Sequence, residues 1–239
     1  MTAPSDLNRR DLLAAGTAGL TLGACASLPR RNSAEPAVWT FDRLADIGGV
    51  PTHVEGAPVL TDSPWGRAVL FDGADDALFI DRHPLAGAQT FTFEALFRPD
   101  GGAFAQRWFH LASDEPAPAP GAAPVGTRFL FEIRVVGDSW YLDAFTRGPD
   151  YSQALIAEDK LFPLGRWHHV AQTCDGATYR SFVNGVLQAE APIAFTPQGP
   201  GRSSVGCRFN RVDYFRGAVR EARFTHACLP PERFANPFV

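Results

Sequence analysis

From Val38 onward the chain alternates apolar and polar residues with a period of two, the pattern of strands with one buried face. The clearest run is TFTFEALFRPDGG, in which Phe91, Phe93, Ala95 and Phe97 fall on one face and Thr92, Glu94, Leu96 and Arg98 on the other. AVLFDG (residues 68–73) and ALFI (77–80) flank a tight turn. RFLFEIRVVGDSWYLDAF supplies two strands about Gly137 and Asp138. DEPAPAPGAAPVG (114–126) is a Pro/Ala-rich loop that cannot sustain a ladder, and ALIAEDKLFPLG (154–165) reads as a connection or a short strand. In GRWHHVAQTCDGATYRSFVNGVLQ (165–188), Trp167, His169 and Ala171 share one parity and His168, Val170 and Gln172 the other. The adjacent histidines therefore point to opposite faces and cannot share a metal without a kink. A packed strand with one satisfied histidine is expected. Asp175 and Gly176 make a turn, and Asn184-Gly185 a hairpin whose two central residues tolerate positive φ. No stretch carries an amphipathic helix period, so the fold class is all-β. A length of 239 residues suits one sandwich domain.

Composition agrees. Apolar residues make up 45% and charged residues 20%, as in a folded globular protein. The 19 Phe carry large apolar area with no polar handle and belong mostly in the core. The 20 Pro and 22 Gly suit many short strands joined by turns. Net charge is -4, and no basic run follows the N-terminal region, which argues against nucleic acid as a partner.

The N-terminus reads differently. In NRRDLLAAGTAGLTLGACAS (8–27), Arg9 and Arg10 precede an uncharged run, residues 12–24, too short to span a bilayer and suited to a signal peptide. The pair followed by Asp11, Leu12 and Leu13 resembles a twin-arginine export signal, with an ordinary secretory signal as the alternative. LGAC (22–25) resembles a lipoprotein box that makes Cys25 the lipidated N-terminus; ACA (24–26) also fits simple cleavage. Acyl chains at ~0.8 kcal/mol per buried methylene hold a protein on a membrane without a spanning helix. The expected division is an export signal over 1–24, a tether over 25–36 and a folded domain over 37–239, in an exported, periplasmic or outer-envelope lipoprotein. Beyond Cys25, Cys207 and Cys228 are a candidate disulfide, with free buried thiols the alternative. No C-x-x-C spacing suggests structural zinc.

FDG (71–73), FTFEALFRP (91–99), WHHVA (167–171), FVNG (182–185), SVG (204–206), FRGAVREARF (215–224) and LPPERF (229–234) occur in that order. Together they resemble the landmarks of the laminin G-like, concanavalin A-like jelly-roll family, over roughly residues 38–238. The resemblance implies a two-sheet antiparallel sandwich of curved sheets, a fold that serves lectins, adhesion modules, hydrolases and lyases, so function must come from the site.

The resemblance also implies where to look. Many similar proteins bind calcium at the sandwich rim through an Asp in a Gly-x-Ile-Asp-Glu pattern. Here the segment is Gly217, Ala218, Val219, Arg220, Glu221, and a guanidinium cannot ligate calcium. No cofactor is expected; Asp42 and Asp72 remain weak calcium candidates, or partners for Arg220 in place of the ion. The Glu-x-Asp-x-x-Glu spacing of related endo-glucanases is absent. Glu94, Glu132 and Asp143, with His110 and Arg134, are candidates to meet on the concave face as acid, base or uronate-binding groups. For sugar binding without cleavage, Trp108, Trp140, Tyr141 and Tyr151 are the candidate platforms, with a core position the alternative for Trp108 and Trp140, while Trp39, Trp65 and Trp167 are expected in the core. The leading expectation is non-catalytic binding of a carbohydrate or cell-surface ligand at the bacterial envelope. A polysaccharide hydrolase or lyase, and a structural adhesion protein, are the alternatives.

Overall fold

The computed structural model describes residues 35–115 and 126–238. The signal over 1–24, the lipidation residue Cys25, most of the tether and the centre of the Pro/Ala loop lie outside them. The described residues form seventeen strands. In chain order these are β1 (Ala37–Thr40), β2 (Asp46–Ile47), β3 (Val50–Glu55), β4 (Val59–Ser63), β5 (Gly66–Asp72), β6 (Ala77–Ile80), β7 (Phe91–Pro99), β8 (Ala105–Ser113) and β9 (Arg128–Val136). There follow β10 (Ser139–Arg147), β11 (Ser152–Ile156), β12 (Phe162–Pro163), β13 (His168–Cys174), β14 (Thr178–Val183), β15 (Val186–Pro192), β16 (Gly201–Val205) and β17 (Arg216–Thr225). The one helical turn among the described residues is the 3-10 turn Pro231–Arg233.

Two antiparallel sheets result. The eight-stranded sheet runs β15-β14-β13-β7-β17-β5-β4, with β1 also on β17; the nine-stranded sheet runs β11-β10-β9-β8-β16-β6-β3-β2, with β12 on β10. This is the expected jelly-roll sandwich. The alternation in β7 works as the sequence implies: Phe91, Phe93, Ala95 and Phe97 are buried in the shared core, and Phe93 stacks on Phe131 of the opposite sheet at 3.9 Å between ring centres. Burying each such ring stabilises the fold by roughly 1.5–3 kcal/mol. The hairpin at Asn184-Gly185 has positive φ at both residues, 50° and 82°, as its turn requires.

The outer face of the eight-stranded sheet is closed by the chain's own C-terminal segment. Thr92 Oγ1 donates to Ala227 O at 2.7 Å and accepts from Leu229 N at 2.8 Å. Ala235 N donates to Glu94 Oε1 at 2.6 Å, and Phe234 packs on Ala171 and Phe182. His169 Nε2 lies 3.1 Å from the same Glu94 oxygen, while its Nδ1 is buried without a partner among the described residues. His168 points the other way, edge-on to Trp140, and is the satisfied histidine, with Pro163 O 3.3 Å from its Nε2 and Asn184 Nδ2 3.4 Å from its Nδ1.

The candidate disulfide does not form: Cys174, Cys207 and Cys228 are free thiols. Cys207 precedes β17 and Cys228 follows it, so ten strand residues, roughly 30 Å of extended chain, separate them.

Candidate ligand-binding face

The outer face of the nine-stranded sheet carries the residues that alternate against the core. In β9, Phe129, Phe131 and Ile133 are buried inward, so Arg128, Leu130, Glu132 and Arg134 point outward. In β10, Trp140, Leu142 and Ala144 are inward, and Tyr141, Asp143, Phe145 and Arg147 outward. The strand register lays these side chains out in rows. An acid row reads Ile156, Asp143, Glu132, Arg107. A central row reads Phe145, Leu130, His110, Ser204, Phe79, His53 across six strands, roughly 24 Å at ~4.8 Å per strand. A third row reads Arg147, Arg128, Ala112, Arg202.

The acid row is internally paired. Arg134 Nη2 bridges Glu132 at 3.2 Å and Asp143 at 2.6 Å. Arg107 Nε lies 3.3 Å from Glu132, and its Nη1 pairs with Asp213. The two carboxyl side chains are only 4% and 5% exposed. Burial, and then the Glu132 charge, push the Asp143 carboxyl up to about 6, against the pull of Arg134 and Arg107.

His110 sits at the middle of the face, 4% exposed. Its Nδ1 accepts from Phe209 N at 3.3 Å, and the Phe209 ring lies 4.7 Å from its own. Its Nε2 is buried with no partner among the described residues. Burial, then the charges of Arg208, Arg128 and Arg107, push the imidazole down to about 3. It is neutral at physiological pH and too weak a base for proton abstraction.

Four arginine–aromatic stacks decorate this face: Arg134 over Phe104, Arg128 over Phe145, Arg202 over Phe209 and Arg211 over Phe79, at 5.0–5.8 Å. Phe104 is 58% exposed. A cleft of about 330 Å³ opens at one end, lined by His53, Phe79, Phe209, Arg202 and Arg211.

The structure brings together Glu132, Asp143, Arg134 and, one row away, His110 and Tyr141. It does not bring in Glu94, which belongs to β7 of the other sheet and is held by His169 and Ala235. Trp108 and Trp140 are buried in the core at 2% and 0% exposure and offer no ring to a sugar. Trp108 turns inward because a bulge between Arg107 and Phe109 breaks the parity of β8. Tyr151 packs into the core, its hydroxyl donating to Thr196 O at 3.3 Å. Tyr141 is on the face but 7% exposed. Trp39 is core as expected, whereas Trp65 and Trp167 are half-buried on the eight-stranded side, edge-on to each other at 6.0 Å, with Phe238 against Trp65 and the Arg98 guanidinium over Trp167. Phe104, Phe209 and Phe79 are aromatics that sequence reasoning missed. Of these, Phe79 alone had a signal, the alternation Leu78, Phe79, Ile80.

The rim holds a separate acidic group. One carboxylate oxygen from each of Asp72, Asp75 and Asp76 lies within 4.8 Å of the others, beside a cleft of about 460 Å³ shared with Asp100 and Arg216. Both Asp76 oxygens are taken by backbone N–H groups, of Ala57 at 2.7 Å and Asp72 at 3.0 Å. Asp72 Oδ1 accepts from Ala74 and Asp75. Calcium takes six to eight oxygens, so the set fits the ion poorly. Asp42 is not part of it; it pairs with Arg43 at 2.9 Å. Arg220 forms no direct ion pair with either aspartate, its Nε donating to Trp65 O at 2.9 Å, but its charge adds to that of Arg43 in lowering the Asp42 carboxyl.

A family model described as the concanavalin A-like lectin/glucanases superfamily, Laminin_G_3, matches residues 72–233. No curated protein matches the chain. Among solved structures it is similar to domain 4 of AbnA, a GH43 extracellular arabinanase from Geobacillus stearothermophilus, in complex with arabinotriose. The TM-score is 0.62 at 16% identity, over 84% of this chain and 97% of that one. It is similar to the binding domain of Paraclostridial Mosquitocidal Protein 1, with TM-score 0.59 and 9% identity over 83% of this chain. A structure of botulinum neurotoxin type C, whose cell entry depends on interaction with two ganglioside molecules, gives TM-score 0.54 and 10% identity, also over 83%. The match spans about half of the two toxin chains, 50% and 49%. At these identities the likeness is one of fold.

Proposed function

Because the chain belongs to the concanavalin A-like lectin/glucanase superfamily, we propose that it binds a glycan, without cleaving it, on the outer face of its nine-stranded sheet. The observation that carries this reading is the series of aromatic rings stacked with arginines on that face, ending in an open cleft. Rings supply flat apolar contact for sugar C–H groups, and guanidinium edges supply directed donors for hydroxyls. The similar arabinanase domain was solved with arabinotriose, which supports a sugar in this fold. The resemblance of residues 8–25 to a twin-arginine signal and a lipoprotein box supports a place on the envelope, held there by lipid on Cys25. Replacing Cys25 by Ser then releases the protein into the soluble fraction.

A second reading, hydrolysis or elimination, is favoured by one observation: the Asp143 carboxyl raised to about 6 beside Glu132. Against it, both carboxyls are buried and tied to Arg134, and His110 is too weak a base. A glycan array combined with a reducing-end release assay on the full chain separates the readings. Retention without release, weakened by Phe104→Ala and Phe209→Ala, is expected. Release abolished by Asp143→Asn makes it an enzyme, and no response to any glycan leaves a structural envelope protein.

A further inference from the structure

The third row of the nine-stranded sheet is an electrostatic anomaly. Arg147 and Arg128 stand directly opposite each other across the β9–β10 ladder, an arrangement that repels. The row continues through Ala112 to Arg202 on β16. Arg208 begins the loop that folds over His110, as the Phe209 N–His110 Nδ1 bond shows. Among the described residues, Arg128, Arg147 and Arg208 form no ion pair with a carboxylate. Arg202 pairs only with Asp114, both more than half exposed, a contact of little weight. The loop residues 116–125, PAPAPGAAPV, contain no Asp or Glu that would supply the missing charge. Glu115, whose charge reaches Arg147, is held by the backbone N–H groups of Gly126 and Thr127.

Two buried donors point the same way. His110 Nε2 and Arg128 Nε are both buried without a partner. His110 accepts at Nδ1, so its proton sits on Nε2 and lacks an acceptor. Burial first, and then the neighbouring Arg208 and Arg147 charges, lower the Arg128 guanidinium below its ordinary value, against the pull of Glu132. In a chain of net charge -4, this is a concentration of unneutralised positive charge, next to the ring faces of Phe145 and Phe209.

We propose that the glycan bound by this face is anionic, a uronate-bearing or sulfated chain whose acidic groups lie along Arg147, Arg128, Arg208 and Arg202 while its sugar rings rest on Phe145 and Phe209. This rests on the reading of the face as a glycan site and names the ligand class. Carboxylate and sulfate share the chemistry required, planar or tetrahedral oxygens that accept from guanidinium forks. Contacts of this kind weaken with salt, because released counterions and screening set the affinity.

The test uses the full chain against immobilised polygalacturonate, heparin, dextran and a single-stranded DNA of matched charge, at 50 and 300 mM salt. Retention on polygalacturonate or heparin and not on dextran is expected, weakening at least tenfold at the higher salt. Which polymer binds better distinguishes carboxylate from sulfate. Arg128→Gln and, separately, Arg208→Gln, both half-buried residues, are each expected to lower affinity at least fivefold, with circular dichroism and melting curves showing that both fold. Retention on dextran alone, lost in Phe209→Ala, overturns the anionic ligand and leaves the glycan face standing. No retention on any polysaccharide overturns both. Equal retention on DNA makes the patch a general polyanion surface and overturns the proposal.

Discussion

The two sheets expose outer faces of similar composition, each with carboxylates, arginines, histidine and aromatic rings, yet the faces meet different fates. On the eight-stranded sheet, Glu94 is sealed under the C-terminal segment, its carboxylate shared by His169 and Ala235, and Phe234 fills the gap beside Phe182. On the nine-stranded sheet no such segment lies over Glu132 and Asp143 among the described residues. Their charges are answered by Arg134 and Arg107, and the next rows keep unpaired arginines and half-buried rings. The closed face adds to stability, and the other, with its unpaired arginines, is the face on which the ligand is proposed to bind.

The largest effect belongs to the closed face. Glu94→Ala leaves His169 buried without its partner and Ala235 N without an acceptor, and is expected to cost about 3–5 kcal/mol in urea unfolding, with glycan retention by the folded protein unchanged. A cost below ~1 kcal/mol means that the strap does not seal this face.

The next concerns pH. His110 titrates at about 3 in the fold against an ordinary 6.5, so the unfolded chain binds more protons and stability falls as pH drops through that window. Asp143 titrates at about 6 against an ordinary 3.8, so the folded chain binds more protons and stability falls as pH rises from 4 to 6. Between pH 4 and 6 the two slopes oppose each other. Asp143→Asn removes one and is expected to make the protein more acid-sensitive than wild type by about 1.4 kcal/mol per pH unit. Denaturant melts at pH 4, 5 and 6 that shift in parallel for both proteins contradict this.

On the open face, Phe104→Ala removes a ring already 58% exposed. Stability is expected to stay within about 0.5 kcal/mol, while glycan affinity drops about fivefold, the equivalent of ~1 kcal/mol of stacking. The smallest effect is at the rim: 5 mM calcium is expected to leave the melting temperature unchanged within about 1 °C, and a rise of several degrees reassigns Asp72, Asp75 and Asp76 as an ion site.

The fold was legible because one parity of β7, β9 and β10 is almost wholly apolar while the other carries the charged residues beside Leu96, Leu130, Tyr141 and Phe145, and because Asn184-Gly185 admits one kind of hairpin. The opposed histidines were legible for the same reason. The site was less so. Trp108 needs the β8 bulge to face inward, and nothing in RWFHLAS announces a bulge. Glu94 shares its outward parity with Glu132 and Asp143, but alternation along a strand does not say which sheet the strand joins. Trp65 and Trp167 escape the core because partners far away in sequence, Phe238 for Trp65 and Arg98 for Trp167, complete their packing outside. Phe104 and Phe209 lie in loops, where periodicity has no meaning, and the arginine row exists only once the register of four strands is known.

Hydrogen–deuterium exchange of the full chain, with and without the polysaccharide it retains, tests the assignment of the ligand to the open face most directly. Protection is predicted over residues 128–147 and 201–213, with residues 92–98, 168–174 and 229–238 unchanged. Protection confined to that second set, or to the rim around Asp72 and Asp76, would contradict it.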